Sequence, residues 1–510
     1  MVRSSSGLCV VTLKADDYDA FWSKVCAQCP ELCNGGLKIL RSGLDTFVKS
    51  IVVEPHYICK DYRSLYSNFF SKKFGNFEKY CKRLHYFDKT IDNISDVVFN
   101  SKDNLNNYIG YSVIQCIPTG SIGRTVVDPL KIGKAPRDFC CLRTNFTTKL
   151  NGAEYKVFGY PFTMQSGEAT VCAHSAMWGV CRYLSERYPI YKETYPYDLI
   201  QMTGDSQGRK VPYRGMSYTD YSEILSRFGC FPLVKLFGGI SDWDETDESK
   251  SAYYDLYSYV ESGFPVLVSY KGHVVTIVGH TIDFSIDPLV QDKKGFYNSF
   301  SMLKQFIVVD DNCFPYQLLG HNSDPDNYGK FYDKFNGPNP PCIGNLFSAV
   351  VPLPEKVFLP ADTARKIGYS FLENAYVKDK LAVTLAELGC DPTEKMITRL
   401  FIASSSSFKK RKIRALKGDL GAPADVMSAL SVDMPMPHFI WVLEFSPLSL
   451  FRSGLIIGEI TIDASSSEFD SDKMLYLRIG KFFVCNQSEF THASFLGYYP
   501  QYTHNLGETS

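Results

Sequence analysis

The sequence predicts a mixed α+β protein, and three observations lead to that prediction. From Cys172 to Leu184 the apolar residues recur at steps of three and four, as on one buried face of a helix. Residues 273–279 and 305–309 are apolar runs of strand length. The final third of the chain has one long helical pattern at 362–388. It is followed by three strand-like runs, at 438–445, 453–463 and 474–484.

The composition is that of an ordinary globular protein. The chain has 510 residues, of which 45% are hydrophobic and 21% charged, so it can bury large cores without disulfide staples. At roughly 100–200 residues per domain, this length suggests about three domains. We place an N-terminal α+β domain at 1–135, a middle domain at 140–353 and a C-terminal α+β domain at 361–510. The proline-rich stretch 352–360 is interpreted as a linker.

Charge and targeting signals narrow the classes of partner. A formal net charge of −1 gives no global attraction to nucleic acid or anionic lipid, so we expect neither as a partner. The basic run 404–418 is interpreted as a solvated helix face. The start lacks the apolar region of a signal peptide, and no stretch approaches the ~18–20 apolar residues of a membrane span. We expect a cytoplasmic protein without a membrane span.

The 16 cysteines are scattered rather than gathered in one disulfide-dense module, so we expect reduced thiols. Cys26, Cys29 and Cys33 follow a helical pattern without a second pair at zinc-finger spacing, and we interpret them as buried thiols rather than metal ligands. Nearby, residues 60–86 predict a helix rich in aromatic and basic residues, and residues 108–117 alternate like a strand.

Cys172 stands where the central helical pattern begins. Gly167 breaks the chain before it and Thr170 offers an N-cap oxygen, so Cys172 falls in the first helical turn. The helix dipole and the free backbone N–H groups of that turn favour a thiolate, which is the nucleophilic form. Gln165 lies upstream of a glycine-containing turn, and its side-chain amide can fold over the helix start. With the backbone N–H of Cys172 it would form a two-donor oxyanion hole.

A cysteine nucleophile needs a base, and His273 is placed to act as one. It opens an apolar strand that follows a helix, a Gly-Phe-Pro turn and another strand, so it lies at the end of a sheet. The run 305–309 then delivers Asp310, Asp311 and Asn312 to its own end. An acid or amide there can accept from the imidazole and fix its tautomer. These residues alone leave the choice among the three open.

The chain resembles the papain-like cysteine peptidases in the order of four features. These are a Gln, a Cys that opens a helix, the run GHVVTIVG and a strand that ends in Asp or Asn. The resemblance covers about 160–320 and is strongest to bacterial peptidases that process double-glycine leader peptides, although CAHSAMW replaces the C-G-S-C-W signature of papain. It implies a papain-like core, a helix packed on an antiparallel sheet, between flanking α+β domains. It also implies a role for each candidate residue: Cys172 as nucleophile, His273 as base, Asp311 as the orienting residue and Gln165 as oxyanion donor.

The resulting hypothesis is a cysteine-nucleophile hydrolase that cleaves a peptide, isopeptide or amide bond of a peptide or protein substrate, with no cofactor and no metal. An acyl transferase or deamidase with the same triad is an alternative, because the thioester intermediate is shared. A non-catalytic papain-like binding module is a second alternative, which a wide separation of Cys172 and His273 would favour. We interpret His174 as a structural residue or part of the cleft lining, and His280 as a core or surface residue.

Overall fold

The computed structural model shows a mixed α+β chain, as the sequence predicted. It divides into two compact units, each built from several segments. Unit 1 is Met1–Trp243, Pro265–Thr281 and Gln305–Pro352, and unit 2 is Asp244–Phe264, Ile282–Lys304 and Leu353–Ser510. The structure describes residues 7–99, 101–132, 139–203, 211, 215–237, 247–270, 272–288, 295–320, 346–420, 434–467, 473–485, 488–491, 497–503 and 505. Across these ranges, no helix has the length and apolar character needed to cross a bilayer.

Unit 1 opens with an antiparallel sheet whose strands lie side by side in chain order. They are β1 (Cys9–Thr12), β2 (Ser50–Tyr57), β3 (Cys81–Phe87), β4 (Tyr108–Ile114) and β5 (Ile122–Val127). The helices of this segment are α1 (Tyr18–Gln28), α2 (Gly36–Leu44), α3 (Lys60–Asn68), α4 (Ile94–Val98) and α5 (Ser101–Asn104). After β6 (Phe139–Cys141), the hairpin β7 (Thr144–Leu150) and β8 (Ala153–Gly159) buries Phe146 and Tyr155 in the core of this sheet.

The predicted helix over 60–86 is wrong beyond its first turns. Helix α3 ends at Asn68, Gly75 adopts a φ of +151°, and Cys81–Phe87 form strand β3 between β2 and β4. Aromatic residues suit either element, so composition alone could not separate the helix from the strand. The predicted strand at 108–117 is confirmed as β4.

The second sheet of unit 1 carries the candidate site. Its strands are β9 (Phe231–Leu236), β10 (Val266–Tyr270), β11 (His273–Ile282), β13 (Leu303–Val309), β14 (Gln317–Leu319) and β15 (Leu346–Leu353). They run in the order β14-β13-β11-β10-β15-β9, and β6 pairs with the far end of β11. Helices α6 (Cys172–Arg187), α7 (Pro196–Met202) and α8 (Tyr218–Phe228) belong to the same unit.

Helix α6 is held from two sides. The indole of Trp178 donates to Asp61 at 3.2 Å, and Arg124 on β5 donates to the same carboxylate at 2.7 Å. The hydroxyl of Thr276 on β11 reaches the carbonyl of Ala176 at 3.5 Å. A helix buried on several sides and tied to two sheets offers a rigid support for a residue at its N-terminus.

Unit 2 is built on a sheet with the order β12-β16-β17-β19-β20-β21-β22. The strands are β12 (Phe296–Asn298), β16 (Met396–Ser404), β17 (Phe439–Pro447), β19 (Gly458–Asp463), β20 (Met474–Ile479), β21 (Phe482–Cys485) and β22 (Ser488–Thr491). The short strands β18 (Leu455–Ile456) and β23 (Tyr499–Pro500) pair separately. Its helices are α9 (Asp247–Glu261), α10 (Ala361–Leu372), α11 (Ala375–Glu387), α12 (Ser405–Leu420) and α13 (Leu448–Arg452).

The three predicted strand-like runs of this part are confirmed, the third as the hairpin β20–β21 around Gly480. The predicted single helix over 362–388 is two helices. Helix α10 ends at Leu372, and Asn374 caps α11 by accepting from the backbone N–H of Tyr376. An asparagine within a helical pattern competes for backbone hydrogen bonds, which explains the break.

The basic run 404–418 is not the solvated face that we expected, as far as its side chains are described. On α12, Lys412 is paired with the fully buried Glu459, and Lys409 donates to the carbonyl of Met434 at 2.6 Å. Among the lysines of this run whose side chains are described, Lys410 alone is exposed. Burying Lys412 is possible because a carboxylate on β19 compensates its charge. The side chains beyond Ile413 in this run lie outside the described residues.

The stretch 352–360, expected to be a linker, is packed within unit 2 over most of its length. Leu359 is buried, and its carbonyl accepts from the indole of Trp441 at 2.8 Å. Two segments of the predicted middle domain, 244–264 and 282–304, also belong to unit 2. The predicted domain boundaries, which gave domains 1–135, 140–353 and 361–510, stay predictions. Around the first boundary, residues 133–138 lie outside the described residues.

Candidate active site

Cys172 is the first residue of helix α6 and is half-buried. The backbone N–H groups of a first helical turn have no acceptor within the helix, so the N–H of Cys172 is available to a ligand. The N-cap is Val171, not Thr170 as predicted, and the Val171 N–H donates to His174 Nδ1 at 3.3 Å. Thr170 instead accepts from the backbone N–H of Ser166 at 2.9 Å, because that hydroxyl closes the turn before the helix.

His273 is the first residue of β11, as the sequence predicted. It lies opposite Tyr270 in the tight β10–β11 hairpin, where Gly272 adopts a φ of +82°. The Tyr270 ring packs edge-on against the imidazole with centroids 5.5 Å apart. The side chain of His273 is 18% exposed, so the imidazole is accessible but largely shielded from water.

Three consecutive residues after β13 approach the same nitrogen of His273. Nε2 lies 2.9 Å from Asp310 Oδ1, 3.3 Å from the side-chain nitrogen of Asn312 and 3.8 Å from Asp311 Oδ1. If Nε2 carries the proton, it donates to Asp310, and the Asn312 amide would then turn its oxygen toward the imidazole. Since these contacts occupy Nε2, Nδ1 is the nitrogen left for the thiol.

The charge state of His273 follows from these partners. Burial by itself lowers the pKa of His273, but hydrogen bonds to Asp310 and Cys172, together with the negative charges of Asp310 and Asp311, raise the pKa to about 10. The imidazole is therefore positively charged at neutral pH.

Asp310, rather than Asp311, makes the hydrogen bond to His273. The resemblance implied Asp311 for this role, but β13 ends at Val309 and a turn begins at once. Within that turn, Asp310 Oδ1 also accepts from the backbone N–H of Asn312 at 2.9 Å. This second bond holds the carboxylate in place, and side-chain directions in a turn do not follow the strand period.

Asp311 has a different environment from Asp310. It is 5% exposed, and among the described residues neither of its carboxylate oxygens makes a well-formed hydrogen bond. Burial raises its pKa and the charge of Asp310 raises it further, whereas His273 and the backbone N–H of Gln165 lower it, so that the pKa lies at about 7. Asp311 thus exchanges its proton near neutral pH.

Gln165 lies on the extended segment that leads to α6. The backbone N–H of Met164 donates to the carbonyl of Ile122 at 2.9 Å, and Gly120, with a φ of +64°, packs against the carbonyl of Gln165. A side chain on Gly120 would collide with that carbonyl. The backbone of Gln165 is therefore fixed near Asp311, and its side-chain amide makes no hydrogen bond among the described residues.

A metal ion is a geometric possibility at this site. One ligand atom each from His273, Asp310 and Asp311 lie within 4.8 Å of one another, the single such group in the described part of the chain. The contact between His273 and Asp310 is already a charge-assisted hydrogen bond, and we assign these residues to hydrogen bonding. Cys26, Cys29 and Cys33 form no such group there, and Cys33 is exposed rather than buried as expected.

No protein-family model, curated protein or solved structure matches this chain. Any function is therefore inferred from the site itself.

The structure also places residues that the sequence did not single out. Ser175 and Gly179 lie three and seven positions after Cys172 on the same face of α6, and with Tyr160 they line a small cavity next to Asp311. The helical spacing from Cys172 was a usable signal for Ser175, whereas nothing local pointed to Tyr160. His280 is buried in β11, in line with the interpretation made from the sequence.

Proposed function

We propose that this protein is a cysteine-nucleophile hydrolase with a papain-like catalytic core. The observation that carries the proposal is the position of His273, whose Nε2 lies 2.9 Å from Asp310 Oδ1 and whose pKa is raised in part by the neighbouring thiol of Cys172. A nucleophile, a base and an orienting acid in contact are the minimal machinery for acyl transfer. The start of α6 against the sheet that contains β11 and β13 supports the papain-like assignment.

In the proposed reaction, the thiolate of Cys172 attacks the carbonyl carbon of the scissile peptide, isopeptide or amide bond. The bond between carbon and nitrogen breaks as the His273 imidazolium transfers its proton to the departing amine, which leaves a thioester on Cys172. A water molecule then gives its proton to the neutral imidazole and attacks the thioester. This step releases the acid and restores the Cys172 thiolate and the His273 imidazolium.

The negative charge on the carbonyl oxygen needs donors that are already in place. The backbone N–H of Cys172 supplies one, and the side-chain amide of Gln165 is proposed to supply the second. The fixed backbone of Gln165 supports this role, because preorganised donors need no rearrangement as the charge develops.

Asp310 takes the orienting role in this proposal, with the Asn312 amide beside it. A carboxylate that accepts from Nε2 fixes the ring so that Nδ1 faces the nucleophile, and it stabilises the imidazolium. The proximity of Cys172 to His273 gives no support to a non-catalytic binding module. Whether water or an amine accepts the acyl group depends on the cleft walls, so an acyl transferase would use the same residues.

The proposal is tested by a search for cleavage products. The wild-type chain and a Cys172→Ala variant are incubated in parallel with a complex peptide library, and new termini are detected by mass spectrometry. We expect bonds cut by the wild type only, together with a trapped acyl adduct on Cys172 at short times. Cys181→Ala is the matched control, because that thiol is buried in the same helix. Identical digests from the wild type and Cys172→Ala would refute hydrolysis by this site.

A further inference from the structure

A small cavity lies beside the candidate dyad, with room for about one water-sized molecule. Helix α6 contributes Ser175, Ala176 and Gly179, strand β11 contributes Thr276, and the end of β13 contributes Val309. The segment before α6 and the carboxylate of Asp311 complete the wall. The cavity therefore lies along the face of α6 that begins with Cys172.

Three polar groups on this wall lack well-formed hydrogen bonds. The hydroxyl of Ser175, the hydroxyl of Tyr160 and both carboxylate oxygens of Asp311 are buried without a well-formed hydrogen bond to any described residue, although Thr276 lies near the Tyr160 hydroxyl and the backbone N–H of Gln165 lies near Asp311. Their side chains are 6%, 1% and 5% exposed, respectively. Buried polar groups are nearly always satisfied by protein or ordered water, so orphaned groups around one cavity indicate an occupant.

We propose that this cavity binds one ordered water molecule, held by Asp311, Ser175 and Tyr160, and that Asp311 is a positioning residue which acts on His273 through this site. The second part rests on the proposed function, whereas the water site does not. A water molecule fits the donors and acceptors present, because it accepts from the two hydroxyls and donates both protons to the carboxylate.

The consequence concerns the charge next to the imidazole. A water that donates to Asp311 favours its ionised form, so that a second negative charge then lies 3.8 Å from His273 Nε2. The other charged neighbour is Asp310, and the Tyr270 hydroxyl and the Cys313 thiol are nearby titratable groups. Ser175 and Tyr160 thereby set the pH at which this second charge appears, although neither touches the dyad directly.

The water is tested first by a high-resolution crystal structure of the full chain. We expect density for one water at about 2.7–3.0 Å from Asp311, Ser175 and Tyr160. The Ser175→Ala and Tyr160→Phe double variant should lose that peak. Crystals are also soaked in a thallium(I) salt. An anomalous peak in the cavity would identify a site for a monovalent cation, and no anomalous peak is expected for a water site. An empty cavity, or a metal ion in it, overturns the water site.

The positioning role is tested by titrating the Asp311 carboxyl carbon by NMR, with Asp311→Asn used to assign the signal. Removing either hydroxyl removes a hydrogen bond to the water and so weakens its binding. Ser175→Ala should therefore raise the pH midpoint of the Asp311 titration by about one unit. Ser185→Ala is the matched control, since that hydroxyl lies on the same helix and donates to the carbonyl of Arg182. If Ser175→Ala shifts the midpoint no more than Ser185→Ala does, the proposed role of Ser175 is overturned.

The link to His273 is tested by the pH dependence of Cys172 alkylation by iodoacetamide. The wild type should show an inflection at the Asp311 midpoint that Asp311→Asn removes and Ser175→Ala moves upward. An inflection that survives Asp311→Asn overturns the positioning role. Failure of the proposed function is recognised separately, because Cys172 in the wild type would then react no faster than other accessible thiols at any pH.

Discussion

Asp310 Oδ1 lies 2.9 Å from His273 Nε2, whereas the nearest oxygen of Asp311 lies 3.8 Å from the same nitrogen. The two carboxylates are neighbours in sequence, yet one is held by hydrogen bonds and the other is buried without a well-formed hydrogen bond. The proposed mechanism therefore gives them different roles: Asp310 orients the imidazole, and Asp311 adds a charge whose presence depends on pH.

Replacing the two acids separately should have unequal effects on activity. Asp310→Ala removes the acceptor that fixes the tautomer of His273, a loss that costs about 10⁴ in kcat in serine proteases. Asp311→Ala leaves that hydrogen bond intact and should cost far less. The measurement is kcat for both variants on one substrate. A reversed order would return the orienting role to Asp311, the residue that the sequence favoured.

The pKa of His273 should depend on the charge of Asp310. Asp310→Asn keeps the side-chain shape but removes a negative charge, so the pKa of His273 should fall from about 10 by about 1–3 units. Nitrogen NMR of labelled histidine measures this, and nine histidines in the chain keep the spectrum simple. His273→Ala assigns the signal, and Lys410→Ala on an exposed helix position serves as a distant control. An unchanged midpoint in Asp310→Asn would contradict the ion pair.

Asp311 should make the protein less stable as the pH rises. Its pKa is about 7 in the folded chain and ~3.9 when unfolded, so between these values the folded state binds more protons. Stability is therefore highest at the acid end of this window and falls as the pH approaches 7. The expected loss is on the order of 1.4 kcal/mol for each unit of difference.

The measurement is unfolding of wild type and Asp311→Asn between about pH 4 and pH 5.5, a range in which His273 is protonated whether folded or unfolded. Asp311→Asn should flatten the slope of stability against pH. Parallel slopes for the two proteins would show that Asp311 titrates normally.

The buried ion pair between Lys412 and Glu459 should be important for the stability of unit 2. Lys412→Ala leaves Glu459 with one remaining cation, Arg478 at 3.3 Å, and breaking such a buried pair costs about 3–5 kcal/mol. Lys410→Ala, on the same helix but exposed, should change stability by less than about 0.5 kcal/mol. Hydrogen exchange of β19 and β20 amides reports the difference. Equal protection in the two variants would mean that the basic run is a solvated face after all.

The positions of Cys172 and His273 could be predicted because each residue stands at the boundary of a strong local pattern. Cys172 begins a helical period, and His273 begins an apolar strand after a glycine. The choice between Asp310 and Asp311 could not be predicted, since it depends on a turn that starts directly after Val309. The direction of a side chain in a turn is set by hydrogen bonds that have no sequence period.

The sequence pattern also could not predict the division into two units. Strand β12 pairs in parallel with β16, joining Phe296 to Met396, and this places a segment of the predicted middle domain in unit 2. Pairing between strands that are far apart in sequence cannot be predicted from local periodicity. The buried Lys412 was misinterpreted for a similar reason, because its partner Glu459 comes from a distant strand.

The most direct test of the central claim is the rate at which each cysteine is alkylated by iodoacetamide at neutral pH, resolved by mass spectrometry. Cys33 is the accessible reference, since it is exposed whereas Cys172 is only half-exposed, and Cys181 is the buried reference. If His273 holds Cys172 as a thiolate, Cys172 reacts faster than Cys33 by on the order of tenfold, and His273→Ala abolishes the excess. A Cys172 that reacts no faster than Cys33, or just as fast without His273, would contradict the account.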